Sequence, residues 1–159
     1  TEMFSNIGSK PKLEYIDLLK LIYKSIDYLK KRSSSKIIFI VESTVESAKV
    51  KINKELLGWA IENICKNSID AVGEKGSIKI KVDSKKNKLL IDITDNGKGI
   101  EKNQFINIFN PGISTKKRGW GLGLSLTKRI IEEYHNGKIF VLKSLKGIET
   151  TLRIVLPKM

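Results

Sequence analysis

The chain has 159 residues, with 30 Lys and Arg against 17 Asp and Glu, a formal charge of +13, one His and one Cys. That length fits one domain and buries roughly 68–70% of the extended surface, so a core forms without staples. A single Cys excludes an internal disulfide scaffold, one His with one Cys excludes a self-contained Cys/His zinc site, and neither a charged-then-apolar leader nor an apolar run of roughly 18 residues is present. Only Arg32, Arg118, Arg129 and Arg153 supply guanidinium groups; the remaining basic residues are Lys scattered along every element. Readers of bases and phosphates favour Arg, so the charge reads as Lys-rich solvated surface and no nucleic-acid partner is expected.

In chain order, residues 1–12 carry Gly8 and Pro11 and read as a tail or linker. Leu13–Asp17 suits a short strand, and Leu18 to about Lys31 places Leu18, Leu19, Ile22, Ile26 and Leu29 at helical spacing until Ser33-Ser34-Ser35 breaks it. Lys36–Glu42 is β-branched and dense, a buried strand, and Val50–Ile52 suits another short one. Lys54–Val72 predicts a helix ended by Gly73. Ser77–Asp83 and Leu89–Thr94 predict a hairpin around the turn Lys85–Lys88. Glu101–Phe109 suits a short helical piece, Asn110–Gly123 has no periodicity, and Leu124–Glu133 is helical up to Asn136-Gly137. Ile139–Leu142 and Thr151–Leu156 are the last strands. Hairpins mixed with helices give an α+β class, one sheet with a helix layer.

Three segments carry chemistry. On the helix Lys54–Val72, Leu57, Ile61, Ile64, Cys65, Ser68 and Val72 share one side; Asn63, Asn67, Asp70 and Glu74 share the other. Asn and Asp are poor in helix interiors because their side chains compete for the backbone, so this face is chosen for short, fixed polar groups. The second segment is a strand end running into a glycine loop, Asp95-Asn96-Gly97-Lys98-Gly99-Ile100. The third is Gly119-Trp120-Gly121-Leu122-Gly123-Leu124, a glycine stretch opening a helix, where free N–H groups and the dipole favour phosphate. It lacks the Gly-Lys-Ser/Thr ending of a P-loop and follows no strand of a βαβ unit, which excludes the P-loop and Rossmann readings. An Asp at a strand end accepts from an amine, and a pair of neutral Asn holds a hard cation while phosphates supply the charge.

In this order the segments resemble the boxes of sensor histidine-kinase catalytic domains, in the wider GHKL (HATPase_c) superfamily of ATPases. Residues 62–71 resemble the N box, 95–100 the G1 box, Phe105 with Phe109-Asn110-Pro111 the F box, 119–126 the G2 box and 147–152 a degraded G3 box. The resemblance covers about residues 13–157. It implies a Bergerat ATP-binding fold: a two-layer sandwich of a mixed, mostly antiparallel sheet and about three helices, with a flexible lid over ATP. It also implies that residues 1–12 end a linker from a missing dimerisation and phosphoacceptor domain, and that 13–159 form the catalytic domain.

The resemblance further implies that Asn67 ligates Mg²⁺ between the phosphates, with Asn63 as second ligand or phosphate contact. Asp95 would bind the adenine amine, with Gly97 and Gly99 letting the loop pass under the base beside Ile100. Gly121, Leu122, Gly123 and Leu124 would face the phosphates, Lys116 beside Thr115 in the lid would neutralise the terminal phosphate, Phe109 of the F box would belong to the nucleotide site, and Thr150 would support the adenine site. Asp70 stands where many such kinases carry Lys or Arg and would instead hold a water or a lid cation at the nucleotide site; Trp120 replaces a small residue, and Glu149 stands where the G3 box has Gly. The implied activity is transfer of the ATP γ-phosphate to a His of the dimerisation domain and onward to a response regulator receiver domain. The fragment would be a cytoplasmic monomer without membrane contact, from a parent protein compatible with inner-membrane anchoring. His135 sits before Gly137 at a helix C-terminus, where a cation is favoured, and reads as structural rather than as phosphoacceptor. A stand-alone serine kinase and anti-sigma factor of the same superfamily, and a nucleotide-binding regulatory module without transfer, are the alternatives.

Overall fold

The computed structural model describes residues 10–111 and 123–158. Five strands form the main sheet in the order β2-β4-β5-β7-β6, where β2 is Ile37–Ser43, β4 Gly76–Lys85, β5 Lys88–Asp95, β6 Lys138–Leu145 and β7 Glu149–Pro157. The β2 and β4 strands pair in parallel and the other three pairings are antiparallel. Helices α1 (Leu18–Lys30), α2 (Lys54–Val72) and α3 (Gly123–Arg129) supply the other layer. The expected α+β sandwich with a mixed, mostly antiparallel sheet is the observed one.

Alternation builds the interface between the layers. Ile78, Ile80 and Val82 of β4, Leu89, Ile91 and Ile93 of β5, and Leu152, Ile154 and Leu156 of β7 are all buried. They meet Leu57, Ile61, Ile64 and Cys65 of α2, the apolar side read from its periodicity. Truncating one such aliphatic side chain to Ala costs about 2–5 kcal/mol.

The α2 ends follow from local chemistry. The Asn53 side chain accepts from the Leu56 N–H at 2.9 Å, and Gly73 takes φ +76° while its N–H donates to the Ile69 carbonyl. This helix sets the site, because Ser68 bonds the carboxylate at the end of β5 and the Ala71 carbonyl accepts from the loop that follows it.

Three expectations need correction. The strands β1 (Glu14–Asp17) and β3 (Lys49–Ile52) do not join the main sheet; they pair antiparallel as a separate two-stranded sheet. Residues 101–109 form two 3-10 turns, Lys102–Gln104 and Asn107–Phe109, rather than one helical piece. The last helix is α-helical only to Arg129 and widens to a π turn over Ile130–Tyr134.

That π turn explains His135, which is buried rather than held as a cation in the dipole field. Its Nδ1 lies 2.9 Å from the Ile130 carbonyl, and its Nε2 accepts from the Asn53 N–H at 3.0 Å. An acceptor at Nε2 requires a neutral ring with the proton on Nδ1. The imidazole therefore joins the end of the α3 segment to the cap of α2.

Burial holds His135 below its ordinary value, outweighing the carbonyl that favours the charged ring. The unfolded chain, titrating near 6.5, then binds this proton before the folded one. The stability from neutral His135 is complete above that value and is lost as pH falls towards the folded one. Urea midpoints measured from about pH 7 to 5 are expected to fall for the wild type and to fall less for His135→Gln. Equal slopes would mean that the ring is not buried neutral.

Candidate functional site

The sequence predicts that α2, the end of β5 and the start of α3 converge, and the structure brings them together. Asp95 is the last residue of β5 and is buried. Its Oδ1 accepts from the Gly97 N–H at 2.9 Å, and the Ser68 hydroxyl on α2 also bonds the carboxylate. Burial raises the Asp95 carboxyl, opposed by these two bonds. A buried acceptor at a strand end, facing the helix layer, is the one strongly polar anchor in this part of the described structure.

The loop after Asp95 is held from both sides. Lys98 N–H donates to the Ala71 carbonyl of α2 at 3.0 Å, and Gly147 N–H donates to the Gly97 carbonyl at 2.8 Å. A Cβ on Gly97 would lie 2.4 Å from the Ala71 backbone, so this glycine is required by close approach. Gly99 is required by conformation, with φ +80°. Ile100 is half-buried, and its N–H donates to Ser144 Oγ at 2.8 Å. Thr150 is opposite Asp95 in the β5–β7 register, and its hydroxyl lies 2.8 Å from Ser144 Oγ.

On the phosphate side, Asn63 and Asn67 occupy successive turns of α2 and are half-buried, while Asp70, one turn further, is exposed. Asn63 Nδ2 donates to Thr127 Oγ1 at 3.0 Å, and that hydroxyl donates to the Gly123 carbonyl at 2.8 Å. A Cβ on Gly123 would meet Asn63 Nδ2 at 3.0 Å, so the small residue lets α3 start against the Asn face. Leu124 is half-buried beside it. Phe109 is buried, with Lys128 Nζ 5.6 Å from its ring centroid, which ties the 3-10 turn to α3.

Thr115, Lys116, Gly121 and Leu122 lie outside the described residues, as do Lys117, Arg118 and Trp120. Cys65 is inert core: burial pushes its thiol up to about 12, and the Glu62 charge adds to this. Glu62 is half-buried, and desolvation raises its carboxyl against the lowering by Lys66 and Lys24.

The donor chemistry fits a phosphate-bridged hard cation. Among the described residues no cluster of three or more His, Cys, Asp or Glu could hold a metal by itself, whereas two neutral amides suit a cation whose charge phosphates balance. Ser68, Ser144 and Ala71 were not singled out from the sequence. A Ser on the apolar side of α2 was the one available signal, for Ser68.

The model of the family "Histidine kinase-, DNA gyrase B-, and HSP90-like ATPase" matches residues 52–159. The sensor histidine kinase ZraS of Salmonella typhimurium is 33% identical over 147 residues, 91% of this chain and 31% of that protein. The signal transduction histidine-protein kinase AtoS of Escherichia coli is 37% identical over 127 residues, 77% of this chain and 20% of that protein. The chain thus spans under a third of the length of these relatives. Among solved structures, the nucleotide-free catalytic domain of the histidine kinase ThkA superposes with TM-score 0.82 at 27% identity, covering 92% of this chain and 96% of that one. ThkA in complex with the response regulator TrrA aligns with TM-score 0.78 at 25% identity, over 92% of this chain and 42% of that one. Among the described residues no helix is long and apolar enough to cross a membrane. By sequence and by fold, this chain belongs to the histidine kinase-, DNA gyrase B- and HSP90-like ATPase family, in the form of a histidine-kinase catalytic domain.

Proposed function

We propose that this chain binds Mg-ATP and transfers its γ-phosphoryl group to a His on a separate dimerisation domain, from which an aspartate of a response regulator receiver domain takes it. The observation that carries the reading is the buried Asp95 carboxylate, fixed by Gly97 and Ser68 at the mouth of a glycine loop. The complex of ThkA with TrrA supports a response regulator as the onward partner.

Asp95 accepts from the adenine amine, and Thr150 lies beside it for the ring or a water. Gly97 and Gly99 keep the loop flat against the base. Asn67 and Asn63 hold Mg²⁺, which when bound neutralises charge on the phosphates. The N–H groups of Gly121, Leu122, Gly123 and Leu124 would receive phosphate oxygens. Lys116 would neutralise the terminal phosphate as charge develops there. In the transfer the γ-phosphorus bond to the bridging oxygen breaks, ADP leaves, and a phosphorus–nitrogen bond forms on the acceptor imidazole. The domain acts as a monomer on the cytoplasmic side and takes no nucleic acid.

The test is to incubate the chain with γ-labelled ATP, Mg²⁺ and a separately supplied histidine-bearing dimerisation domain. Acid-labile, base-stable label on that domain is expected. Acid-stable phosphoserine on a partner would instead establish the serine-kinase alternative.

A further inference from the structure

One polar row crosses the end of the sheet beside the candidate adenine anchor. Asp95 on β5 pairs with Thr150 on β7, and Thr150 pairs with Ser144 on β6. Ser144 is the outer member, yet its hydroxyl is the junction. It accepts from the Ile100 N–H at 2.8 Å and lies 2.8 Å from Thr150 Oγ1. It also lies 3.2 Å from where a Gly99 Cβ would stand, so the loop is packed directly on it. One residue thus touches both the loop that passes under the base and the hydroxyl beside Asp95.

A serine hydroxyl has one proton and two acceptor sites. With the Ile100 N–H on one acceptor site, the Ser144 proton is free to point at Thr150. Thr150 is buried, so its hydroxyl has few directions open to it. When it accepts from Ser144, its own proton turns away from Ser144. The Gly147 N–H bond to the Gly97 carbonyl adds a second tie between the β6–β7 turn and the loop.

We propose that Ser144 is a positioning residue for base recognition, setting the Thr150 hydroxyl and the height of the 97–100 loop so that an amine-bearing purine is selected at Asp95. It acts through Thr150 and Ile100 and does not itself touch the base. This inference rests on the adenine reading of Asp95.

The test compares ATP with inosine triphosphate, which carries a carbonyl in place of the amine. Binding of both is measured on the whole chain by calorimetry, for the wild type, Ser144→Ala, Ser144→Thr, Thr150→Ala and the Ala/Ala double variant. Ser144→Ala is expected to weaken ATP about tenfold and inosine triphosphate little, narrowing the preference. Ser144→Thr keeps the hydroxyl and restores it. The double variant is expected to lose less than the sum of the two single losses, because Ser144 acts in part through Thr150. Should Ser144→Ala not fold, Ser144→Cys keeps the size with a weak acceptor and is expected to show the same loss. A wild-type preference retained in the Ala or Cys variant, or equal weakening of both nucleotides, overturns this inference alone. A wild type that binds the two nucleotides alike overturns the adenine reading and this inference together.

Discussion

Asp95→Asn is expected to weaken ATP binding about 100-fold, or about 2.7 kcal/mol, while leaving the nucleotide-free protein folded. The carboxylate already serves the Gly97 N–H and the Ser68 hydroxyl, and the proposed amine is a third donor. An ionised carboxylate is acceptor-only and can take all three. An amide has one oxygen, so its NH₂ group must face a donor, and a buried donor is left unpaired. A site built around a hydrogen bond rejects the mismatched partner for this reason.

The effect on folding has the opposite sign. Burial raises the Asp95 carboxyl above its ordinary value, so over that window the folded state binds the proton more tightly than the unfolded state. Stability from this group therefore rises as pH falls through the window, and at neutral pH the ionised form opposes folding. Asn removes that charge. The urea midpoint without nucleotide should be no lower than wild type, and the ATP-dependent stabilisation should shrink by up to about 2.7 kcal/mol. Unchanged ATP affinity in this variant would remove Asp95 from the site.

The contrast between Asp95 and Ser144 shows what was legible in the sequence. Asp95 is followed by two glycines at a strand end, a local pattern with a local cause, and so is the Gly73 end of α2. The β4–β5 hairpin is equally local, with Lys85 paired to Lys88 across its turn. Ser144 finds its partner 44 residues away at Ile100, and nothing in its neighbours marks it. Long-range pairing hid the β1–β3 sheet in the same way, because strands of four residues carry too little alternation to say which edge they meet. His135 was placed at the correct helix end, but its charge state depended on the distant Asn53 N–H. Chemistry written within one turn or strand end was readable; chemistry made by tertiary contact was not.

Gly97→Ala should be the more damaging change at the site, and for a reason separate from charge. Gly97 is not among the glycines with positive φ, so the backbone conformation itself would accept an alanine. The obstacle is space: the new methyl would sit 2.4 Å from both the carbonyl carbon and the carbonyl oxygen of Ala71, with the Ala71 Cβ at 2.7 Å. Backbone atoms in the last turns of α2 cannot rotate away as a flexible side chain would. The loop must lift, and three bonds then stretch together: Lys98 to the Ala71 carbonyl, Gly147 to the Gly97 carbonyl, and Gly97 to Asp95.

We expect a loss of about 3 kcal/mol in urea unfolding and no measurable ATP binding. Gly73→Ala is the internal comparison. Its φ is +76° with ψ −129°, outside the left-handed helical well, but nothing lies within 4 Å of the added Cβ; strain alone acts, costing about 1–3 kcal/mol, and ATP binding is retained. If the two variants unfold alike and both bind ATP, close packing of the loop on α2 does not shape the site. If they separate as expected, the loop is held by contact with the helix, and the helix that carries Asn63 and Asn67 is also the surface that sets the height of the base-binding loop.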